Sequence, residues 1–176
     1  MRLTVNKKDT ARAFRHLDNL LAELSQTASI AAQKAGEDYA ELVKSGIAVT
    51  TKPGFVKGEW EPLTKAWKKR KKAYKNEFWA ETLGIYNAIQ VDIIQKSLLF
   101  INIFAGIKAS TDWNAFRRAR TTEYGYQPQK NPGRPLFEPA KDYLSPVTAS
   151  GRRLNSEQRQ YFITALRTAV RKAYSR

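Results

Sequence analysis

From Asp9 to Ser45 the chain contains no proline, and Phe14, Leu17, Leu21, Leu24, Ala28, Ala31, Ala35, Tyr39 and Leu42 recur at intervals of three and four residues. That spacing lines one face of a 3.6-residue helix, and Gly46 is a natural C-terminal stop. A helix of this extent runs about 50 Å at 1.5 Å per residue, longer than a compact domain of this size needs. Its far end is therefore expected to pack on another chain. A break in it would fall near Ser25 to Ser29.

The rest of the chain must be read around that helix. Residues 46–59 (GIAVTTKPGFVKGE) hold three glycines and a proline without sustained periodicity, which predicts a loop or extended arm. In the next stretch, WEPLTKAWKKRKKAYK, Pro62 suits a first helical turn, and Leu63, Trp67, Tyr74 and Phe78 fall on one stripe that would dock the helix. Seven of the eleven residues from Lys65 to Lys75 are basic (Lys65, Lys68, Lys69, Arg70, Lys71, Lys72 and Lys75), and no acid lies among them to form helical ion pairs. Such a face is expected to meet DNA phosphates or an acidic protein surface, or else to be simply solvated. Ala88 to Ile94 alternates apolar and polar residues, and Leu98 to Ile107 reads as a buried strand, so residues 95–97 predict a hairpin connection.

Trp113 to Arg120 is apolar and basic, and a loop rich in proline and glycine follows over residues 125–135. Pro139 is expected to start a short helix from Ala140 to Leu144. Asn155 with Gln158 resembles a capping box for a last amphipathic helix carrying Phe162, Leu166, Val170 and Tyr174. The prediction is one α+β domain over residues 1–176. In it a long N-terminal helix and a basic second helix pack on a small antiparallel β-sheet, with a C-terminal helix.

Composition narrows the chemistry. A formal charge of +15 on 176 residues predicts attraction to polyanions. There is no cysteine, which removes disulfides, thiolate metal sites and a thiol nucleophile. His16 is the only histidine and is expected to be a solvated helix residue; Glu37, Asp38 and Glu41 fit an ordinary exposed helical face better than a metal site. Phosphate-loop, dinucleotide and Gly-x-Ser-x-Gly motifs are missing, so the expectation is no enzyme, no cofactor and no metal. The N-terminus has no apolar run of signal-peptide length, and LLFINIFAGI (Leu98 to Ile107) is about half of a membrane span, so no membrane association is expected.

Three landmarks occur in order: Trp60-Glu61-Pro62-Leu63 entering the basic tract; Thr82-Leu83-Gly84-Ile85-Tyr86-Asn87-Ala88-Ile89; and Glu123-Tyr124-Gly125, followed by Arg134-Pro135-Leu136-Phe137-Glu138-Pro139-Ala140. Together they resemble the tail-completion (neck, minor tail or virion morphogenesis) proteins of long-tailed bacteriophages, over roughly residues 55–144. Thr82-Leu83-Gly84 stands where that family has a threonine-glycine pair, Gly133 where alanine is usual, and Leu136 precedes the aromatic. The resemblance implies a structural virion protein assembled in the bacterial host cytoplasm. It would form a sixfold ring around the DNA channel and join the tail tube or tail terminator to the head connector or stopper proteins. Trp60, Leu63, Trp67, Tyr124, Gly125, Arg134, Pro135 and Phe137 would be its structural and assembly residues. Phe137 is expected to insert into the core. The alternative is a stand-alone nucleic-acid-binding protein without sequence preference, placing Lys65 to Lys75 and Arg117 to Arg120 on phosphates.

Overall fold

The computed structural model describes residues 7–47, 49–71, 73, 79, 83–96, 101–125 and 133–174. The fold is α+β. Its helices are α1 (Lys7–Ile47), α2 (Lys65–Arg70), α3 (Gly84–Ala88), α4 (Trp113–Tyr124), α5 (Phe137–Leu144) and α6 (Ser156–Tyr174). Strand β1 (Gln90–Lys96) pairs with β2 (Ile101–Gly106), and β3 (Val147–Thr148) pairs antiparallel with β4 (Gly151–Arg152), Val147 opposite Arg152. Internal contacts divide the chain into two compact units. One takes Met1–Ala35, Ile93–Ile103 and Ser156–Arg176; the other takes Gly36–Asp92 and Phe104–Asn155.

The proline-free periodic stretch forms a single helix of 41 residues, about 60 Å long. It does not break at Ser25 to Ser29, where hydroxyls bond back onto carbonyls one turn earlier. Thr27 Oγ1 donates to Glu23 O at 2.7 Å, and Ser29 Oγ donates to Ser25 O at 2.8 Å. Nor does Gly46 stop it. Gly46 is a buried helical residue, and a Cβ there would collide with Leu136 Cδ1 and come within 3.1 Å of Pro53 Cγ. Glycine is needed at this position for close packing. At the other end Phe14 and Leu17 are exposed, and so is His16.

In the first unit the inward faces are made of small and polar side chains. Thr27, Ala31 and Ala32 are buried on α1, and Gln158, Ala169 and Ala173 on α6, where Lys172 Nζ lies 3.9 Å from the buried Glu23. The stripe expected for α6 is turned outward: Leu166, Val170 and Tyr174 are exposed and Phe162 is half-buried. The side chains that α6 buries are therefore two alanines and Gln158, not its larger apolar residues.

The second unit holds the larger core. Val43 and Ile47 of α1, Val56, Trp60, Trp79, Ile85, Ile89, Ile107 and Leu136 form one buried cluster with Ala115 and Ala119 of α4, and α3 packs against α4. The segment read as a loop or arm is a docked loop, since Val56 is buried and Lys52 Nζ donates to Val56 O at 2.6 Å. The hairpin follows the predicted order, but β2 is not a buried strand. Ile101 to Ala105 keep partial or full exposure, Ile93 and Ile94 of β1 are exposed, and only Gly106 and Ile107 at the end are buried. Leu98 to Phe100 lie outside the described residues.

Candidate functional site

Helix α4 begins where Asp112 Oδ1 accepts the Ala115 N–H at 2.8 Å, and ends at Gly125, whose φ of 79° suits a residue without Cβ. Between these caps Ala115, Ala119 and Glu123 follow at intervals of four and are buried together. Glu123 is therefore carried inward, to the start of α5. Its Oε2 accepts the N–H groups of Leu136 at 2.7 Å and Phe137 at 3.1 Å, and its Oε1 accepts that of Glu138 at 3.1 Å. No side chain of α5's own N-terminus caps the helix. A distant carboxylate does that work, and as an anion it also complements the positive end of the helix.

Arg134 extends the junction. Its N–H donates to Thr122 O at 2.7 Å, and its Nε and Nη2 donate to Glu61 O at 3.3 and 3.1 Å. The guanidinium thus ties the third landmark to the backbone of the first. Gly133 permits the approach, because a Cβ there would lie 2.7 Å from Glu123 O and 2.9 Å from the Tyr124 carbonyl carbon, both backbone atoms. From α1, the Tyr39 hydroxyl donates to Phe137 O at 3.2 Å. Burial pushes the Glu123 carboxyl above the usual range, against the three backbone N–H bonds that pull it down. Burial lowers Arg134, and it raises the Tyr39 phenol, with the charge of Glu123 adding to the effect.

Of the assembly residues expected from sequence, Trp60, Leu63 and Arg134 are buried, Trp67 and Phe137 are half-buried, and Tyr124 and Pro135 are exposed. Phe137 meets the edge of Trp79 at 5.5 Å between ring centroids, but the side chain fully inserted in the core is Leu136. Helix α5 starts at Phe137 and not at Ala140, since Glu123 satisfies the N–H groups ahead of Pro139. Sequence reading quoted Glu123 and Gly133 only within the resemblance and gave neither a role of its own. The signals were an acid immediately before Tyr124-Gly125 and a glycine in an otherwise proline-rich loop.

The basic tract differs from the helix expected. It starts at Lys65, where Thr64 Oγ1 accepts the Trp67 N–H at 3.2 Å, and it ends after six residues with Lys71 extended (φ −70°, ψ 129°). Lys71 is buried, so it does not belong to a contact face. Lys65, Lys68, Lys69 and Arg70 are exposed, and none makes an ion pair among the described residues. Lys72, Tyr74, Lys75 and Phe78 lie outside the described residues.

Among the described residues no three His, Cys, Asp or Glu side chains converge on a point where a metal ion could sit. None of the described helices is long and apolar enough to cross a membrane. Compared with protein-family models, curated proteins and solved structures, the chain matches none.

Proposed function

We propose that this chain is a structural component of a long-tailed phage neck, a ring-forming tail-completion protein that joins the tail tube to the head connector around the DNA channel. The observation that carries the reading is the junction at Glu123 and Arg134. Short motif words scattered along a sequence are weak signals, but here Arg134 bonds the third landmark to Glu61 of the first, and Glu123 bonds the two parts of the third to one another at Leu136, Phe137 and Glu138. Their order and spacing are then the requirements of one packed unit, which is what a family resemblance spread over residues 55–144 should reflect. Exposed Phe14 and Leu17 on an overlong α1 give a neighbouring subunit something apolar to cover.

Deleting the gene from a phage that carries it tests the reading. Filled heads and separate, complete tails, joined again when the protein is added back, are the expected result; particles that assemble and infect normally overturn it.

A second reading rests on Lys65, Lys68, Lys69 and Arg70, four exposed cations on one short helix with no acidic partner among the described residues. They suit phosphates of free duplex DNA without sequence preference. Duplex binding by the isolated chain that weakens steeply with salt, together with a normal neck in the deletion, would favour it.

A further inference from the structure

The outer side of α4 takes no part in the junction. Trp113, Phe116, Arg117, Arg120 and Tyr124 fall on one face of a 3.6-residue helix, beside the buried line of Ala115, Ala119 and Glu123. Trp113 is 60% exposed and stacks on Phe116, with centroids 5.8 Å apart and planes 29° apart. Tyr124 is 67% exposed. Large aromatic groups left this open on a short helix are the usual material of contact surfaces.

Next to this face opens a cavity of about 440 Å³, walled by Ile107, Phe116, Ala119 and Phe137, with Arg120 and Tyr124 at its edge. It falls within the roughly 300–1,000 Å³ of ordinary ligand pockets. Glu123 also lines it, but the carboxylate oxygens already hold the three N–H groups of α5. The cavity is therefore an apolar slot. Arg117 and Arg120 are exposed, and neither makes an ion pair among the described residues.

An apolar slot with two unmatched guanidinium groups beside it is complementary to one kind of occupant. We propose that the α4 face docks an acidic peptide segment of a partner protein: an aromatic or large aliphatic side chain enters the cavity, and flanking Asp or Glu carboxylates pair with Arg117 and Arg120. A nucleobase could stack on Trp113, but the slot offers little to its hydrogen-bonding edges. Residues 126–132 of this chain, YQPQKNP, carry a lysine and no acid, so they do not match the arginines. The proposal needs only the fold of the second unit and stands apart from the virion reading.

The test is selection of a random dodecapeptide library on the immobilised full chain, with the Arg117→Gln/Arg120→Gln double variant in parallel. Both positions are exposed, and a thermal melt checks that the variant folds. Enriched peptides should carry an aromatic or large aliphatic residue next to Asp or Glu. By fluorescence anisotropy they should bind the double variant about tenfold or more weakly, and lose as much when the apolar residue becomes serine. Ala119→Phe, which places a ring in the slot, should have the same effect if it folds. No enrichment over the double variant, enriched peptides without acids, or indifference to the serine change would each overturn the proposal. Binding of labelled oligothymidylate that requires both arginines, with no peptide enrichment, would assign the face to single-stranded nucleic acid instead.

Discussion

Replacing Glu123 with alanine removes the acceptor for three backbone N–H groups at the start of α5. The Leu136 N–H is deeply buried, and its loss of a partner costs about 1–3 kcal/mol; those of Phe137 and Glu138 are only partly buried and can find water at smaller cost. Glu123→Ala should therefore lower unfolding free energy by about 1–3 kcal/mol, and Glu123→Gln, which keeps one oxygen but turns an amide N–H₂ toward a backbone donor, by about 1–2 kcal/mol. Urea denaturation followed by tryptophan fluorescence measures both.

The pH dependence has a fixed sign. Burial raises the folded pKa of Glu123 above that of the unfolded chain, so the folded state binds its proton more tightly. The corresponding stability is fully present below the unfolded value of about 4.3 and is lost as pH rises through the folded one. The stability difference between the native chain and Glu123→Gln should then narrow as pH is raised from about 4. A difference that widens with pH would mean that the N–H groups of α5 outweigh burial. A loss below about 1 kcal/mol for Glu123→Ala would refute the capping role itself.

The remaining expectations use the same denaturation assay. Gly133→Ala, whose Cβ has only backbone atoms to displace, should cost about 1–3 kcal/mol, and no change would mean the loop moves freely away from Glu123. Trp60→Ala should cost about 3–5 kcal/mol, as for a core aromatic, and the half-buried Trp67→Ala about 1–2 kcal/mol; equal losses would contradict the burial of the two rings. The quadruple glutamine variant of Lys65, Lys68, Lys69 and Arg70 should stay within about 0.5 kcal/mol of native stability at each position yet fail to assemble with tail or head. Normal assembly, with loss of salt-dependent duplex binding, would move these residues to a DNA role.

What sequence reveals here depends on the range over which a signal acts. The 41-residue helix and the order of the helix, hairpin and C-terminal helix follow from local periodicity. Faces are less legible. Hydrophobicity ranks Leu166 and Val170 above Ala169 and Ala173, yet the alanines are the buried pair and the larger residues are exposed. Gly46 reads as a stop because glycine usually ends helices, but its neighbours Leu136 and Pro53 come from distant sequence and demand a missing Cβ. The capping of α5 by Glu123 leaves no periodic trace. Lys71 belongs to a charged run whose composition cannot distinguish it, a buried residue, from the exposed Lys68, Lys69 and Arg70.

The proposed role itself is decided by where the chain sits in a virion. Cryo-electron microscopy of purified tailed particles from a phage encoding this protein, with its copy number measured by quantitative mass spectrometry, should find a closed ring of several copies between head connector and tail tube. In that ring the second unit should show the Glu123 to α5 and Arg134 to Glu61 contacts. Particles that lack the protein, or hold a single copy of it, would contradict the account.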